Sequence, residues 1–211
     1  MMTMKKSIKN QILTKIKQRK RGWAFSAFDF TQDFKRREID ESLSYLTEDG
    51  EIRRVIRGIY DYPLYSTLLK KNVASDINQV AYALARKFNW KIYPDGDTAL
   101  NYLGLSTQVV AKSIYLTDGP SKKYTVGNRS LEFKHTTQRE AALKHTDTAL
   151  VIQSIKAIGE KQITPKFLDA LAEKFSAVQW QKIQTDASKA TGWVYEIIKK
   201  LADKAKDSHN G

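Results

Sequence analysis

The chain has 211 residues and a formal net charge of +13 at pH 7, a balance that favours a polyanionic partner, either nucleic acid or an anionic membrane surface. It contains no cysteine, which excludes disulfides, thiolate zinc sites and cysteine nucleophiles. No apolar run reaches the length of a membrane span or follows the N-terminal lysines as in a signal peptide. We therefore expect a soluble, cytoplasmic protein with no membrane partner.

The N-terminal segment has the pattern of three helices. Apolar residues at helical spacing predict helices over residues 7–20 and 34–48, and a shorter helix is predicted over residues 26–30. Ser26 is the expected N-cap of the short helix, and Gly50 ends the third one. The first turn of the third helix contains Lys35, Arg36 and Arg37 and is therefore basic.

A β-hairpin is predicted immediately after the third helix. Residues 51–56 and 59–62 have strand composition, and Arg57-Gly58 between them forms a tight turn. Three helices followed by a hairpin is the element order of a winged helix-turn-helix. We therefore predict a DNA-binding domain of this kind over residues 1–65.

Residues 66–211 are expected to form a second domain, and residues 65–75 are expected to form the connector that leads into it. Helices are predicted over residues 76–88, 97–103, 137–144, 146–158, 164–174 and 176–205, with breaks in the C-terminal helical part at Gly159, Pro165 and Gly192. Strands are predicted over residues 113–117, 122–126 and 130–135. The expected fold class is therefore α+β, with an N-terminal winged helix-turn-helix followed by a mixed α+β domain that has a helical C-terminal end.

The start of the third helix supplies the first candidate DNA contacts. In helix-turn-helix proteins the second helix of the motif enters the major groove with its N-terminal residues against the bases. Here these residues are Lys35, Arg36 and Arg37. Guanidinium groups contact guanine edges bidentately, and lysine adds a phosphate contact. The alternative is an ordinary solvated first turn.

The hairpin supplies the second set of candidates. Arg53 and Arg54 lie on opposite faces of a strand, so at most some of the hairpin arginines face DNA. The arginines beside the turn at Gly58 are typical of a wing that contacts the phosphate backbone or the minor groove of DNA. The alternative is a surface hairpin whose arginines only keep the protein in solution. The candidate DNA-binding residues are Ser26, Lys35, Arg36, Arg37, Arg53, Arg54 and Arg57.

Enzyme chemistry has little support in the sequence. The chain has three histidines, and none of them belongs to a His-x-x-x-His or His-Glu-x-x-His pair. It also lacks the serine-hydrolase, phosphate-binding and dinucleotide-binding fingerprints. We expect no catalytic residue, no cofactor and no metal site, and hence not an enzyme. A docking module for an acidic partner and a metal-dependent enzyme acting on nucleic acid are the competing interpretations.

Two blocks of sequence carry a family resemblance. The segment from Gly50 to Pro63 reads Gly-Glu-Ile-Arg-Arg-Val-Ile-Arg-Gly-Ile-Tyr-Asp-Tyr-Pro, an arginine wing followed by Arg-Gly-x-Tyr. Residues 97–119 contain Ala-x-x-x-Leu-Gly-Leu-Ser-x-Gln and continue into Ile-Tyr-Leu-Thr-Asp-Gly. In both blocks the chain resembles the AbiEi-type antitoxins of type IV, abortive-infection toxin–antitoxin systems, and the resemblance covers most of residues 7–140. Val110 departs from the family, in which many members have proline.

The resemblance implies an antitoxin of phage defence that also regulates its own transcription. Its N-terminal domain would bind inverted repeats of double-stranded DNA in the promoter of its own operon and repress it. Its second domain, residues 66–211, would be needed to neutralise a nucleotidyltransferase-like toxin encoded alongside. The alternative is a solitary transcriptional regulator or a protein-interaction module without antitoxin activity.

Overall fold

The computed structural model describes residues 7–108, 112–136 and 145–207, which form a mixed α+β fold. Within these residues the helices accompany a 3-stranded, a 2-stranded and a 4-stranded sheet. The chain divides into two compact units: the first comprises Met1–Trp90 and Tyr124–Leu131, and the second comprises Lys91–Lys123 and Glu132–Gly211. The α+β class expected from the sequence is therefore confirmed.

The first unit opens with a helix, a short strand and a helical turn. Helix α1 is Ile8–Lys17, strand β1 is Ala24–Phe25, and a 3-10 helix follows at Ala27–Phe30. The short helix predicted over residues 26–30 is therefore a 3-10 helix, and Ser26 is its N-cap as expected.

Helix α2, Arg36–Glu48, begins two residues later than the sequence predicts. The residue before it, Lys35, has an extended backbone, and its N–H donates to Glu38 Oε2 at 3.1 Å. This bond satisfies a main-chain donor at the helix start and fixes where the helix begins. Lys35, Arg36 and Arg37 therefore all lie at the exposed N-terminal end of α2.

Strands β2, Arg53–Ile56, and β3, Ile59–Asp61, form the predicted hairpin. The antiparallel sheet has the order β1-β3-β2, and its register pairs Arg53 with Asp61. Gly58 in the turn has a φ of 75°, in the left-handed region that favours glycine. The hairpin turn is therefore tight and depends on a residue without a side chain.

An apolar core joins α1, α2 and this sheet. Its buried residues are Ile12, Ile16, Phe25, Ala27, Phe30, Ile39, Leu43, Leu46, Ile52 and Tyr62. Phe25 and Phe30 pack edge to face with ring centroids 5.7 Å apart. Burial of each large apolar side chain contributes about 1.5–3 kcal/mol, so packing holds these short elements together more than helix propensity does.

The first unit continues past the boundary expected at residue 65. Strands β4, Tyr65–Ser66, and β5, Lys71–Asn72, form a two-stranded antiparallel hairpin, and helix α3, Ile77–Phe88, follows. Asn89 ends α3 in the left-handed conformation, with a φ of 55°. The segment expected to be a connector thus contains a hairpin, and α3 packs with the N-terminal elements.

One carboxylate attaches α3 to the elements before it. Asp29 accepts a hydrogen bond on Oδ2 from the Ser26 N–H at 2.9 Å, and on Oδ1 from Arg86 Nε at 2.6 Å. Arg86 also donates from Nη2 to the Ala24 carbonyl at 2.8 Å. These bonds hold α3 against earlier elements of the same compact unit.

The second unit begins with strand β6, Ile92–Pro94, and helix α4, Gly96–Tyr102. Strand β6 belongs to a four-stranded sheet of order β6-β7-β9-β8. Its other strands are β7, Lys112–Thr117, β8, Lys122–Val126, and β9, Arg129–His135, and residues 124–131 of the last two are assigned to the first unit. The sequence predicts the last three strands closely. It does not predict β6, which pairs antiparallel with β7.

Helices form the C-terminal part of the second unit. They are α5, Thr146–Ile158, α6, Pro165–Ala172, α7, Ala177–Asp186, and α8, Gly192–Asp207, with 3-10 turns at Glu160–Gln162 and Ala187–Lys189. Trp180 is completely buried in their shared core, and its Nε1 donates to the Ala172 carbonyl at 3.0 Å. The helical segment predicted over residues 176–205 is divided by a 3-10 turn, and α8 begins at Gly192, the break expected within this segment.

The helix predicted over residues 137–144 lies outside the described residues. None of the described helices is both long and apolar enough to cross a membrane.

Candidate nucleic-acid interface

A groove of about 480 Å³, which we call the basic groove, lies within the first unit between the start of α2, the β2–β3 turn and the end of α3. Its cationic lining residues are Arg36, Arg54, Arg57 and Lys87, its acidic lining residue is Asp40, and its aromatic lining residues are Phe28, Tyr60 and Phe88. Cations that outnumber carboxylates in a concave surface concentrate positive potential there. The basic groove is therefore suited to a polyanion.

Arg36 brings the start of α2 into the basic groove. Its Nε donates to Asp40 Oδ2 at 2.7 Å, and 66% of the Arg36 side chain is exposed. This hydrogen bond raises the pKa of Arg36 above its ordinary value, so the guanidinium is charged throughout the physiological range. An exposed pair one helical turn apart contributes only about 0.3–0.5 kcal/mol. The guanidinium is therefore easily drawn from Asp40 to a stronger anion.

Arg37 and Lys35 lie beside Arg36 but not among the residues that line the basic groove. Arg37 pairs with Glu41 at 2.9 Å, and 89% of its side chain is exposed. Lys35 is also exposed, at the position that caps α2. The three basic residues thus surround the helix start, with one directed into the groove and two on the adjoining surface.

Arg54 and Arg57 enter the basic groove from the hairpin. Both are exposed, and neither forms an ion pair with another residue in the described part of the chain. Arg54 lies opposite Tyr60 in the sheet register. These two guanidinium groups therefore keep their hydrogen-bond donors available for a bound anion.

Arg53 does not belong to this interface. Its Nη2 and Nε donate to the two carboxylate oxygens of Asp61 at 2.6 and 3.1 Å, while Nη1 donates to the Val73 carbonyl at 3.1 Å. Nη2 also reaches Ser75 Oγ at 3.0 Å. All three guanidinium nitrogens thus donate within the fold, which argues against the predicted role of Arg53 in holding a phosphate.

Ser26 is likewise a structural residue. It reaches the wall of the basic groove, but only 1% of the residue is exposed. Its hydroxyl accepts the Phe28 N–H at 3.2 Å and so caps the 3-10 helix. Ser26 is therefore assigned a structural role in place of the predicted DNA contact. Its cap positions Phe28, which is half exposed at the groove.

Lys87 is the groove cation that sequence reasoning missed. Its ammonium lies against the hairpin turn: a Cβ placed on Gly58 would be 2.7 Å from Lys87 Nζ. The same nitrogen is 5.2 Å from the centre of the Phe88 ring. A lysine in the last turn of a helix is common because it complements the helix dipole, so the sequence carried no signal that singled it out.

The two histidines in the described part of the chain, His135 and His145, do not come together in a metal or catalytic site. His135 Nδ1 lies 2.9 Å from the Gly119 carbonyl, and the His145 N–H donates to Asp186. Among the described residues, no group of three or more His, Asp or Glu side chains is arranged to hold a metal ion.

These features define an α+β protein with a candidate polyanion-binding surface. Residues 11–183 match the profile of DUF6088, a family of unknown function, and the chain therefore belongs to this family. Among solved structures it is similar to the RV2827C protein from Mycobacterium tuberculosis, with 15% sequence identity, coverage of 93% of this chain and 76% of that chain, and a TM-score of 0.39. No curated protein matches the chain.

Proposed function

We propose that the protein is a sequence-specific double-stranded DNA-binding protein that represses the promoter of its own operon. The observation that carries this proposal is the convergence of Arg36, Arg54 and Arg57 in the basic groove. Cations that neutralise DNA phosphates release condensed counterions, which favours binding. The net charge of +13 adds long-range attraction to the same partner.

Helix α2 is the proposed recognition helix of a winged helix-turn-helix. The order of α1, the 3-10 helix, α2 and the β2–β3 hairpin supports this assignment. Recognition helices contact base edges through their N-terminal residues, which here are Arg36 and Arg37. Each good bidentate contact is worth about 1–3 kcal/mol of discrimination between bases.

The hairpin is the proposed wing. Arg54 and Arg57 are exposed beside its tight turn, and Lys35 is exposed at the neighbouring helix start. We assign these three side chains to phosphates or to the minor groove, contacts that set the position of the protein without reading sequence. Inverted repeats in the promoter would be bound by two copies of the protein, one for each half-site.

The antitoxin role is a further part of the proposal and rests on the resemblance to AbiEi-type antitoxins. We propose that the second unit counters a nucleotidyltransferase-like toxin, whereas a solitary regulator would lack this activity. Co-expression of the full chain with such a toxin from the adjacent gene tests this part. Restored growth supports an antitoxin, and unrelieved toxicity at equal protein levels supports a solitary regulator.

Fluorescence anisotropy with a labelled duplex from upstream of the protein's own gene tests DNA binding. The wild-type protein is expected to prefer this duplex to a scrambled one. The logarithm of its affinity should fall with the logarithm of salt concentration by about 0.9 for each phosphate contact. The Arg54→Gln/Arg57→Gln variant should lose about two units of this slope.

The matched control is Lys161→Gln/Lys166→Gln, which removes the same charge from exposed positions in the second unit. It should bind with nearly wild-type affinity and slope. Failure of the wild-type protein to bind duplex DNA, or an equal loss in both double variants, contradicts the proposal.

A further inference from the structure

We infer that Lys87 is a phosphate contact, so that the DNA-binding surface includes the C-terminal end of α3 as well as α2 and the wing. This inference rests on the proposed function and extends the interface to a helix outside the predicted winged helix-turn-helix. Lys87 lines the basic groove together with Arg36, Arg54 and Arg57.

The position of the ammonium is the first argument. Lys87 Nζ lies so near the wing turn that a Cβ on Gly58 would be 2.7 Å away. Arg57 directly precedes Gly58 and is exposed in the same groove. Two cations therefore flank the turn that the proposal places against the DNA backbone.

The anchoring of α3 is the second argument. Arg86, the neighbour of Lys87, donates to Asp29 at 2.6 Å and to the Ala24 carbonyl at 2.8 Å. These bonds hold the last turn of α3 against the elements that precede α2. Lys87 is thus carried on an anchored helix end, so that binding a phosphate orders its side chain without having to order the backbone as well.

The helix dipole is the third argument. The C-terminal end of a helix carries a partial negative charge, which by itself repels phosphate. The end of α3 lines the groove through Lys87 and Phe88. The positive charge of Lys87 offsets the partial negative charge of the helix end, so that this side of the groove attracts DNA phosphates. A neutral side chain would leave the repulsion in place.

The test compares Lys87→Gln and Lys87→Arg in the full chain by anisotropy on the own-promoter duplex at several salt concentrations. Lys87→Gln should lose about one unit of the salt slope. A fourfold rise in salt concentration should therefore reduce the DNA affinity of this variant by a factor that is about 3.5-fold smaller than for the wild type. Lys87→Arg should restore the slope. Lys161→Gln is the control for loss of one exposed charge.

Three outcomes overturn the inference in distinguishable ways. If the wild type binds and Arg54→Gln/Arg57→Gln loses slope, but Lys87→Gln keeps the wild-type slope and affinity, Lys87 makes no phosphate contact. If Lys87→Gln loses affinity at unchanged slope and melts at a lower temperature without DNA, its role is structural. If the wild type does not bind duplex DNA, the proposed function fails and this inference fails with it.

Discussion

Arg53 and Asp61 form a two-point ion pair across β2 and β3, with contacts of 2.6 and 3.1 Å and only 2% of the Asp61 side chain exposed. The next residue, Arg54, is exposed and faces the basic groove. These adjacent arginines therefore differ in role: Arg53 links strands β2 and β3, and Arg54 is available to a ligand.

We expect Arg53→Met to lower the free energy of unfolding by about 3 kcal/mol, because it leaves the Asp61 carboxylate buried without its cation. Urea denaturation followed by circular dichroism measures this change. Arg54→Met is the matched control and should change stability by less than about 0.5 kcal/mol. Equal stability of the two variants would show that the ion pair does not support the sheet.

We expect Arg36→Ala/Arg37→Ala to abolish sequence preference while leaving the fold intact. Their pairs with Asp40 and Glu41 are exposed, so their loss should cost less than about 1 kcal/mol in stability. Competition between the own-promoter duplex and a scrambled one measures the preference. Unchanged discrimination by this variant would remove α2 from the role of recognition helix.

We expect Glu132 to make the stability of the second unit depend on pH. Its carboxylate accepts hydrogen bonds from the ammonium groups of Lys112 at 2.7 Å and Lys123 at 2.9 Å, and these bonds lower the pKa of Glu132 below its ordinary value. A carboxyl whose pKa is lower in the folded state binds more protons when unfolded. Its contribution is thus complete above the unfolded pKa of about 4.3 and is lost as pH falls through the folded value.

We therefore expect Glu132→Gln to be less stable than the wild type at pH 7 and to approach it below about pH 4. Urea unfolding at several pH values between 7 and 3 measures this difference. Glu196→Gln, at an exposed position, is the control and should track the wild type. A stability gap that stays constant across this range contradicts the assignment.

Gly58→Ala is expected to lower the free energy of unfolding by about 1–2 kcal/mol, because the residue has a φ of 75°. The new methyl group would also displace the Lys87 ammonium, which should weaken DNA binding. Gly192→Ala is the control, because Gly192 stands in open space at the start of α8. Thermal melting and anisotropy should show a loss only for Gly58→Ala.

Most helices and strands were predictable because their signals are local. Helix α3 follows apolar spacing after its N-cap Asp76, begins one residue later than predicted and ends at the predicted residue, Phe88. Strand β6 has only three residues and ends at Pro94, so it shows no alternation and forms because β7 pairs with it. Local sequence patterns do not show which strands pair when the partners are distant in sequence.

The candidate interface was predictable only in part. A basic helix start and a hairpin tip identified Arg36, Arg54 and Arg57 from neighbouring residues alone. Strand alternation separated Arg53 from Arg54, but only the register with Asp61 shows which of them is used internally. Lys87 was not predicted from the sequence, because its place in the groove depends on how α3 packs on the N-terminal elements.

The two bonds of Asp29 form at different times during synthesis. Its partner Ser26 is translated just before it, whereas Arg86 comes 57 residues later. At about 5–20 residues per second, the nascent chain waits roughly 3–11 seconds for that guanidinium. The contacts that attach α3 to the first unit therefore form only after this helix has been translated, although α2 is among the earliest segments to leave the ribosome.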